Sequence, residues 1–248
     1  MTRLLINIDH VATLRNARRE SVPDPVHAAA ICEAAGAAGI VFHLREDRRH
    51  ITDRDVRLLR QTVKTKLDFE LSVNPEIVDI CCEIRPHLAT LVPERREEVT
   101  TEGGLDVVAN RERITSTVQR LQSAGIEEVA LFVDPELDQI SAALDTGANC
   151  IELHTGEYAN AQTAEERFAE LTSLAAAAKH ANTIGLQVHA GHGLDYANYP
   201  SFARHVRGVR EVSIGFAVVA RALLVGLDTA VRDMLRIVNG HHAPAHES

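Results

Sequence analysis

The sequence predicts an α/β protein built as a single (β/α)8 TIM barrel with additional helices. Three observations carry this expectation. About eight β-type apolar runs each lead into helical sequence, at roughly 31 residues per unit. The helix-to-strand joints AAGAAGI, SAGIEEV, DTGANC and ANTIGLQV share a glycine near the last helical turn, a left-handed stop that releases the chain into a strand. The length of 248 residues is that of one such barrel, and 45% hydrophobic with 25% charged residues is enough for a normal core. A doubly wound open sheet is the competing fold. It would place a glycine-rich turn after the first strand, and the stretch that follows residues 4–8 has no glycine.

The elements follow from apolar periodicity and end signals. Residues 4–8 (LLINI) read as a strand. A helix over 25–38 opens near Pro25 and stops at Gly39. Residues 39–43 (GIVFH) form the second strand. A helix over 52–64 opens on the capping pattern Thr52-x-x-Asp55. The third strand is 67–73 (LDFELSV), followed by a helix over 75–84 and a fourth strand over 87–92 (HLATLV). After a polar loop come a helix over 111–124, a strand over 128–133 (EVALFV), a helix over 135–146 and a strand over 149–153 (NCIEL). An Ala-rich helix over 164–183 leads to a strand over 186–189 (LQVH). A strand over 211–214 (EVSI) and a long closing helix over 216–238 complete the pattern. Residues 1–240 are read as one catalytic barrel. Residues 241–248 are read as a polar tail in which His241, His242 and His246 are solvated.

Composition removes several function classes. Lys and Arg number 26 against 35 Asp and Glu, a formal charge of -9, and there is no Trp. Neither the electrostatic footprint nor the aromatic platform for nucleic acid is present. The first twenty residues have no signal-type apolar region, and no window approaches a membrane span of about 18 apolar residues. The expectation is a soluble, cytoplasmic protein with no membrane partner. Cys32, Cys81, Cys82 and Cys150 have neither disulfide nor zinc spacing and are expected to be buried small hydrophobes in a reducing compartment.

In a barrel of this kind the active site gathers at the C-terminal strand ends. Those ends carry Asn7, Asp9 and His10; His43 and Arg45; Glu70; Thr100 in the next loop; Glu152 and His154; His189 and His192. Ionisable groups converging on one mouth cost desolvation and give no packing in return, which favours a catalytic mouth over a structural one. Glu70 is the most informative. Alternation places Phe69 and Leu71 on one face and Asp68, Glu70 and Ser72 on the other. Glu70 then points into the barrel, where burial raises a carboxyl pKa and suits it to proton transfer. The bland alternative is a buried ion pair with Arg45.

Ala190-Gly191-His192-Gly193 and Ile214-Gly215-Phe216, after the last two strands, read as a phosphate cradle of backbone N–H groups and a helix N-terminus. Arg45, Arg48, Arg49 and His50 form a second positive cluster, with Arg45 the better placed. Two anion sites suit two phosphorylated substrates or one bisphosphate. The polar loop over 93–104, ending in Gly103-Gly104, reads as a lid. The only lysines are Lys64, Lys66 and Lys179, none at a strand end on the mouth side. A lysine Schiff base is therefore disfavoured, and any imine amine must come from a substrate.

The blocks NIDHVATLRNARR, HLREDRRHITDRDV, LVPERREEVTTEGGLDV, IELHTGEYA and AGHGL together resemble the pyridoxine 5′-phosphate synthase family of vitamin B6 biosynthesis, over nearly the whole chain. The resemblance implies a (β/α)8 barrel with additional helices, assembled as a homo-octamer. It implies condensation of 3-amino-2-oxopropyl phosphate with 1-deoxy-D-xylulose 5-phosphate to pyridoxine 5′-phosphate, phosphate and water, with no metal and no organic cofactor. It implies His43, Glu70 and His192 as acid/base residues. Asp9, His10, Arg45, His50 and Thr100 would hold the deoxyxylulose phosphate, and Asn7, Arg18, Gly193, Gly215 and residue 216 the amino ketone phosphate. Some relatives carry His at that last position where this chain has Phe216, which leaves a backbone N–H contact. Two other readings stay open. One is a metal-dependent aldolase or isomerase with His43, Glu70, Glu152, His154 and His192 as ligands. The other is a non-catalytic phosphate-sensing barrel, which would need the anion sites but not an interior Glu70.

Overall fold

The structure, a computed structural model, describes residues 1–94 and 103–240. Eight parallel strands close into a barrel in sequence order, with the last pairing back to the first. They are β1 (Arg3–Asn7), β2 (Gly39–His43), β3 (Lys66–Leu71), β4 (Leu88–Leu91), β5 (Glu128–Val133), β6 (Cys150–His154), β7 (Gln187–Gly191) and β8 (Val209–Ile214). The helices are α1 (Asp9–Asn16), α2 (Pro25–Ala35), α3 (Asp53–Thr62), α4 (Pro75–Ile84), α5 (Arg111–Ser123), α6 (Leu137–Asp145), α7 (Gly156–Asn160), α8 (Ala164–Thr183), α9 (Tyr199–His205), α10 (Phe216–Val225) and α11 (Leu227–Val238). The closed ring settles the fold against the open sheet.

Local chemistry explains most boundaries. Thr52 and Asp55 form the expected capping box at α3. Thr163 and Glu166 do the same for α8, and the Asn74 side chain accepts from Glu76 N at the start of α4. Three corrections arise. The helix expected over 25–38 ends at Ala35, because Gly36 takes the left-handed cap and Gly39 already belongs to β2. The closing helix over 216–238 is two helices, since Gly226 adopts φ 85° and ψ 151°, a conformation open essentially to glycine alone. Helices α1, α7 and α9 lie in stretches to which the sequence pattern assigned no element.

The strand faces divide the core sharply. Outward residues such as Ile6, Phe42, Phe69, Leu131 and Ile214 join the helices in one buried apolar cluster. Inside the barrel the apolar content among described residues is small, with Leu88, Ala130 and Cys150 forming a separate cluster. Barrel interiors are usually filled by branched apolar side chains. Here Lys66 bonds both Glu128 and Glu211 near the N-terminal end, its Nζ 2.8 Å from Glu211 Oε2. Arg3 also bonds Glu211. His189 Nε2 lies 3.5 Å from Glu211 Oε2. Higher up, the Thr90 hydroxyl donates to Asp68 at 2.9 Å. Cys32, Cys81 and Cys150 are buried, whereas Cys82 is only half-buried. Among the described residues no helix is long and apolar enough to cross a membrane.

Candidate active site

The C-terminal strand ends surround a cavity of about 660 Å³. Its wall includes Asn7, Asp9, His10, His43, Arg45, His50, Glu70, His192, Gly193, Gly215 and Phe216, so most of the residues singled out from sequence meet there. Arg18 does not line it; it lies exposed in the turn after α1. Thr100 and the greater part of the proposed lid, residues 95–102, lie outside the described residues, as does the tail 241–248. His189 is not at the mouth. β7 continues to Gly191, which leaves His189 in mid-strand against Glu211.

The strand register places the reactive groups. His43 pairs with Glu70 across β2 and β3, and Glu70 with Thr90 across β3 and β4. Alternation then turns Glu70 inward, as expected. Asn7 Nδ2 reaches Glu70 Oε2 at 3.4 Å and Asp9 Oδ2 at 3.1 Å. Asp9 in turn accepts from His43 N at 2.9 Å, so α1 and β2 are tied by a single carboxylate. Arg45 is buried, with Asp47 at 3.5 Å and Glu94 at 3.9 Å; the ion pair with Glu70 is not formed. His43 Nε2 stands 3.5 Å from Glu94 Oε2. Arg48 turns away to Asp53 and Glu76, while Arg49 lines the cavity.

Opposite Glu70, β6 contributes Glu152, which the sequence placed at a strand end with a role only in the metal-dependent alternative. Its carboxyl fills the space that a side chain at Gly191 would need: a Cβ there would collide with Glu152 Oε1. Burial pushes the Glu70 carboxyl well above the ordinary carboxylate range, and the nearby Glu152, Asp9 and Asp68 add to it. Burial raises Glu152 likewise, helped by Asp68 and Glu211. The histidines move the other way. Burial lowers His192 to about 4, with His154 and His10 contributing. Burial also lowers His50 and His10, against the pull of Asp9 on each. The Ile51 N–H donates to His50 Nδ1 at 2.9 Å, which fixes a neutral His50 with its proton on Nε2. In the mouth, then, burial shifts the Glu70 and Glu152 carboxyls toward the protonated form and the His192 imidazole toward the neutral one.

The last two strands end where the sequence placed its glycines. α10 begins at Phe216 with Gly215 as its N-cap, and Gly215, Phe216 and Ala217 all face the cavity, so free N–H groups and the positive helix end meet it. Phe216 is 69% exposed and its ring meets His10 edge-on at 5.2 Å, so at that position the backbone N–H is the available donor. Arg45, Arg49 and His50 bring positive and N–H groups to the α1–β2 side. Among the described residues the aldolase-type ligand set does not cluster. The group of three that does is Glu128, Cys150 and His189, deep in the barrel, where Lys66 already occupies Glu128.

This fold and site define a (β/α)8 barrel whose C-terminal mouth gathers buried carboxyls, imidazoles and a helix N-terminus around one cavity. Residues 4–240 match the family described as pyridoxal phosphate biosynthesis protein PdxJ. The chain is 66% identical to the pyridoxine 5′-phosphate synthase of Salinibacter ruber, over 94% of this chain and 96% of the relative. It is 56% identical to that of a Synechococcus species, over 94% and 97%. The chain belongs to the PdxJ family, an enzyme family of pyridoxal phosphate biosynthesis. Solved barrels share the fold alone: KGPDC from Streptococcus mutans has a TM-score of 0.66 at 12% identity, over 98% of this chain and 100% of that one. Phosphoribosylanthranilate isomerase from Thermotoga maritima has a TM-score of 0.60 at 13% identity, over 97% and 100%.

Proposed function

We propose that the chain is a pyridoxine 5′-phosphate synthase that condenses 3-amino-2-oxopropyl phosphate with 1-deoxy-D-xylulose 5-phosphate, releasing phosphate and water. The observation that carries this reading is the meeting in one cavity of Glu70, whose carboxyl burial pushes up, and His192, whose imidazole burial pushes down. The substrate amine attacks the ketone of its partner, in keeping with a mouth that has no lysine among its described lining residues. Glu70 starts as the acid and can protonate a departing hydroxyl, while His192 starts as the base and can take a proton from the attacking amine or an adjacent carbon. Each is left in the other's initial state, ready for the next step of dehydration or ring closure. His43, held at its backbone by Asp9, is the third proton-transfer group. Asp9, His10, Arg45, His50 and Thr100 hold the deoxyxylulose phosphate. Asn7 and the N–H groups of Gly193, Gly215 and Phe216 hold the amino ketone phosphate. Two fixed phosphates orient the reacting carbons for ring closure.

No metal or organic cofactor is needed in this scheme, and turnover is expected to survive exhaustive EDTA treatment. Loss of turnover restored by one metal would return the aldolase reading. Residues 1–240 act as one catalytic unit in the cytoplasm. The exposed Leu223, Leu224 and Val225 of α10 supply an apolar face suited to homo-octamer contacts, which sedimentation tests. The direct test of function mixes the purified protein with both phosphates and seeks pyridoxine 5′-phosphate by mass spectrometry. Binding of both without product would favour the sensing barrel.

A further inference from the structure

His192 carries the proposed base but has no side-chain hydrogen bond among the described residues, so something else must fix its ring. Its backbone is strained, with φ at 77°. The Thr155 hydroxyl holds that turn, 2.6 Å from the His192 carbonyl oxygen and 2.7 Å from that of Gly191. The imidazole itself rests on two other rings. His154 lies 5.2 Å away between centroids and Phe132 6.5 Å away. His154 is buried, and its own ring is fixed by Asp134, whose Oδ1 is 2.8 Å from Nδ1. The His154 hydrogen bond holds the Asp134 carboxyl below the usual range, so Asp134 is an anion that only accepts, and Nδ1 carries the proton. The Gly104 backbone N–H lowers the Asp134 carboxyl further. Gly156 is required by this stack: a Cβ there would collide with His154 Nε2 and lie 3.2 Å from His192 Cδ2.

We propose that the Asp134–His154 pair is a positioning device for His192: the carboxylate locks one imidazole, and that imidazole is the wall that sets the orientation of the proton-transfer ring. A side chain fixed only by packing wanders when its wall is free to rotate. Asp134 removes that freedom without touching substrate. Nothing in the pair contacts the cavity directly, since neither residue lines it. His10 also faces His192 from the mouth. The inference rests on the reading of His192 as a proton-transfer residue.

The test is a double-mutant cycle on the full chain, with turnover and both KM values measured for His154→Phe, Asp134→Asn, His192→Asn and the paired changes. Misplacing a reacting group by about 1 Å can cost up to about 100-fold, so His154→Phe and Asp134→Asn should each lower kcat about 10- to 100-fold with KM nearly unchanged. In the His192→Asn background the same changes should have almost no further effect, because their target is gone. Equal losses in both backgrounds would show a merely structural role and overturn the proposal. So would full turnover in His154→Phe and Asp134→Asn while His192→Asn is inactive. Full turnover in His192→Asn would instead refute the underlying reading of His192. If His192→Asn leaves too little turnover to measure, the His192 ring resonance decides. One narrow NMR line in the parent, broadened or split in both Asp134→Asn and His154→Phe, supports the proposal, and an unchanged line overturns it.

Discussion

Asp68 offers a quantitative test of the charged barrel interior. It is 2% exposed, and among the described residues its one hydrogen bond is from Thr90. Burial pushes its carboxyl from 3.8 up to about 7, with Glu211 and Glu128 adding to the rise and Thr90 and Lys66 opposing it. A group with a raised folded pKa contributes its full stability below the unfolded value and loses it as pH rises through the folded one. The interval from 3.8 to about 7 is worth about 4 kcal/mol at about 1.4 kcal/mol per tenfold change in proton affinity. Relaxation and coupling to its neighbours bring this to about 2–4 kcal/mol. Asp68→Asn keeps the acceptor for Thr90 and cannot ionise. Its stability relative to the parent should therefore rise between pH 4 and pH 8, which at about 2–4 °C per kcal/mol is a relative gain of about 4–16 °C in melting temperature. Paired melting curves across that range measure it, and other titrating groups largely cancel in the difference. A flat difference, or a variant that loses ground as pH rises, would refute the reasoning and show Asp68 to be an ionised partner of Lys66.

Three further outcomes are expected. Gly191→Ala forces a methyl into Glu152, so it should cost about 1–3 kcal/mol in denaturant melts and depress turnover as well. Gly226→Ala meets no neighbouring atom within 4 Å yet must adopt φ 85°, so it should cost about 1–3 kcal/mol by the same melts while leaving kcat unchanged. The profile of kcat/KM against pH should be bell-shaped, with an acid limb near pH 4 where His192 takes up a proton and an alkaline limb where Glu70 loses one. An acid limb near 6.5 would contradict the neutral, buried His192.

Much of this architecture was legible in the sequence because period-2 and period-3.6 patterns and capping residues act locally. Strands over 39–43 and 128–133 and helices over 75–84 and 164–183 fall where the pattern put them. The mouth was legible for a related reason: a polar residue at a strand end is conspicuous against an apolar strand. Other features depend on tertiary contact. The extension of β7 past His189 to Gly191 is fixed by pairing with β6 and β8, and it moves His189 from the mouth into the interior. Lys66, Glu128 and Glu211 look like ordinary strand starts until the closed ring brings them together. Helix α1 has no glycine or proline signal; it is held by the buried Arg15 guanidinium on Asp55, at 2.8 and 2.9 Å, forty positions along the chain. The strand-end role of Glu152 emerges only beside Glu70.

The central claim is that Glu70 moves protons, and Glu70→Gln tests it most directly. Gln keeps the shape and much of the hydrogen bonding but can neither give nor take the proton. Turnover should fall by about 10²–10⁴-fold. Phosphate-dependent KM values should change far less, and the melting temperature should hold or rise, because an acidic group crowded by Glu152, Asp9 and Asp68 has been removed without leaving a cavity. Melting curve and turnover number should be taken on the same preparation. A large drop in turnover at an unchanged or higher melting temperature is the result this account predicts; a large drop in melting temperature with near-normal turnover per folded molecule would contradict it.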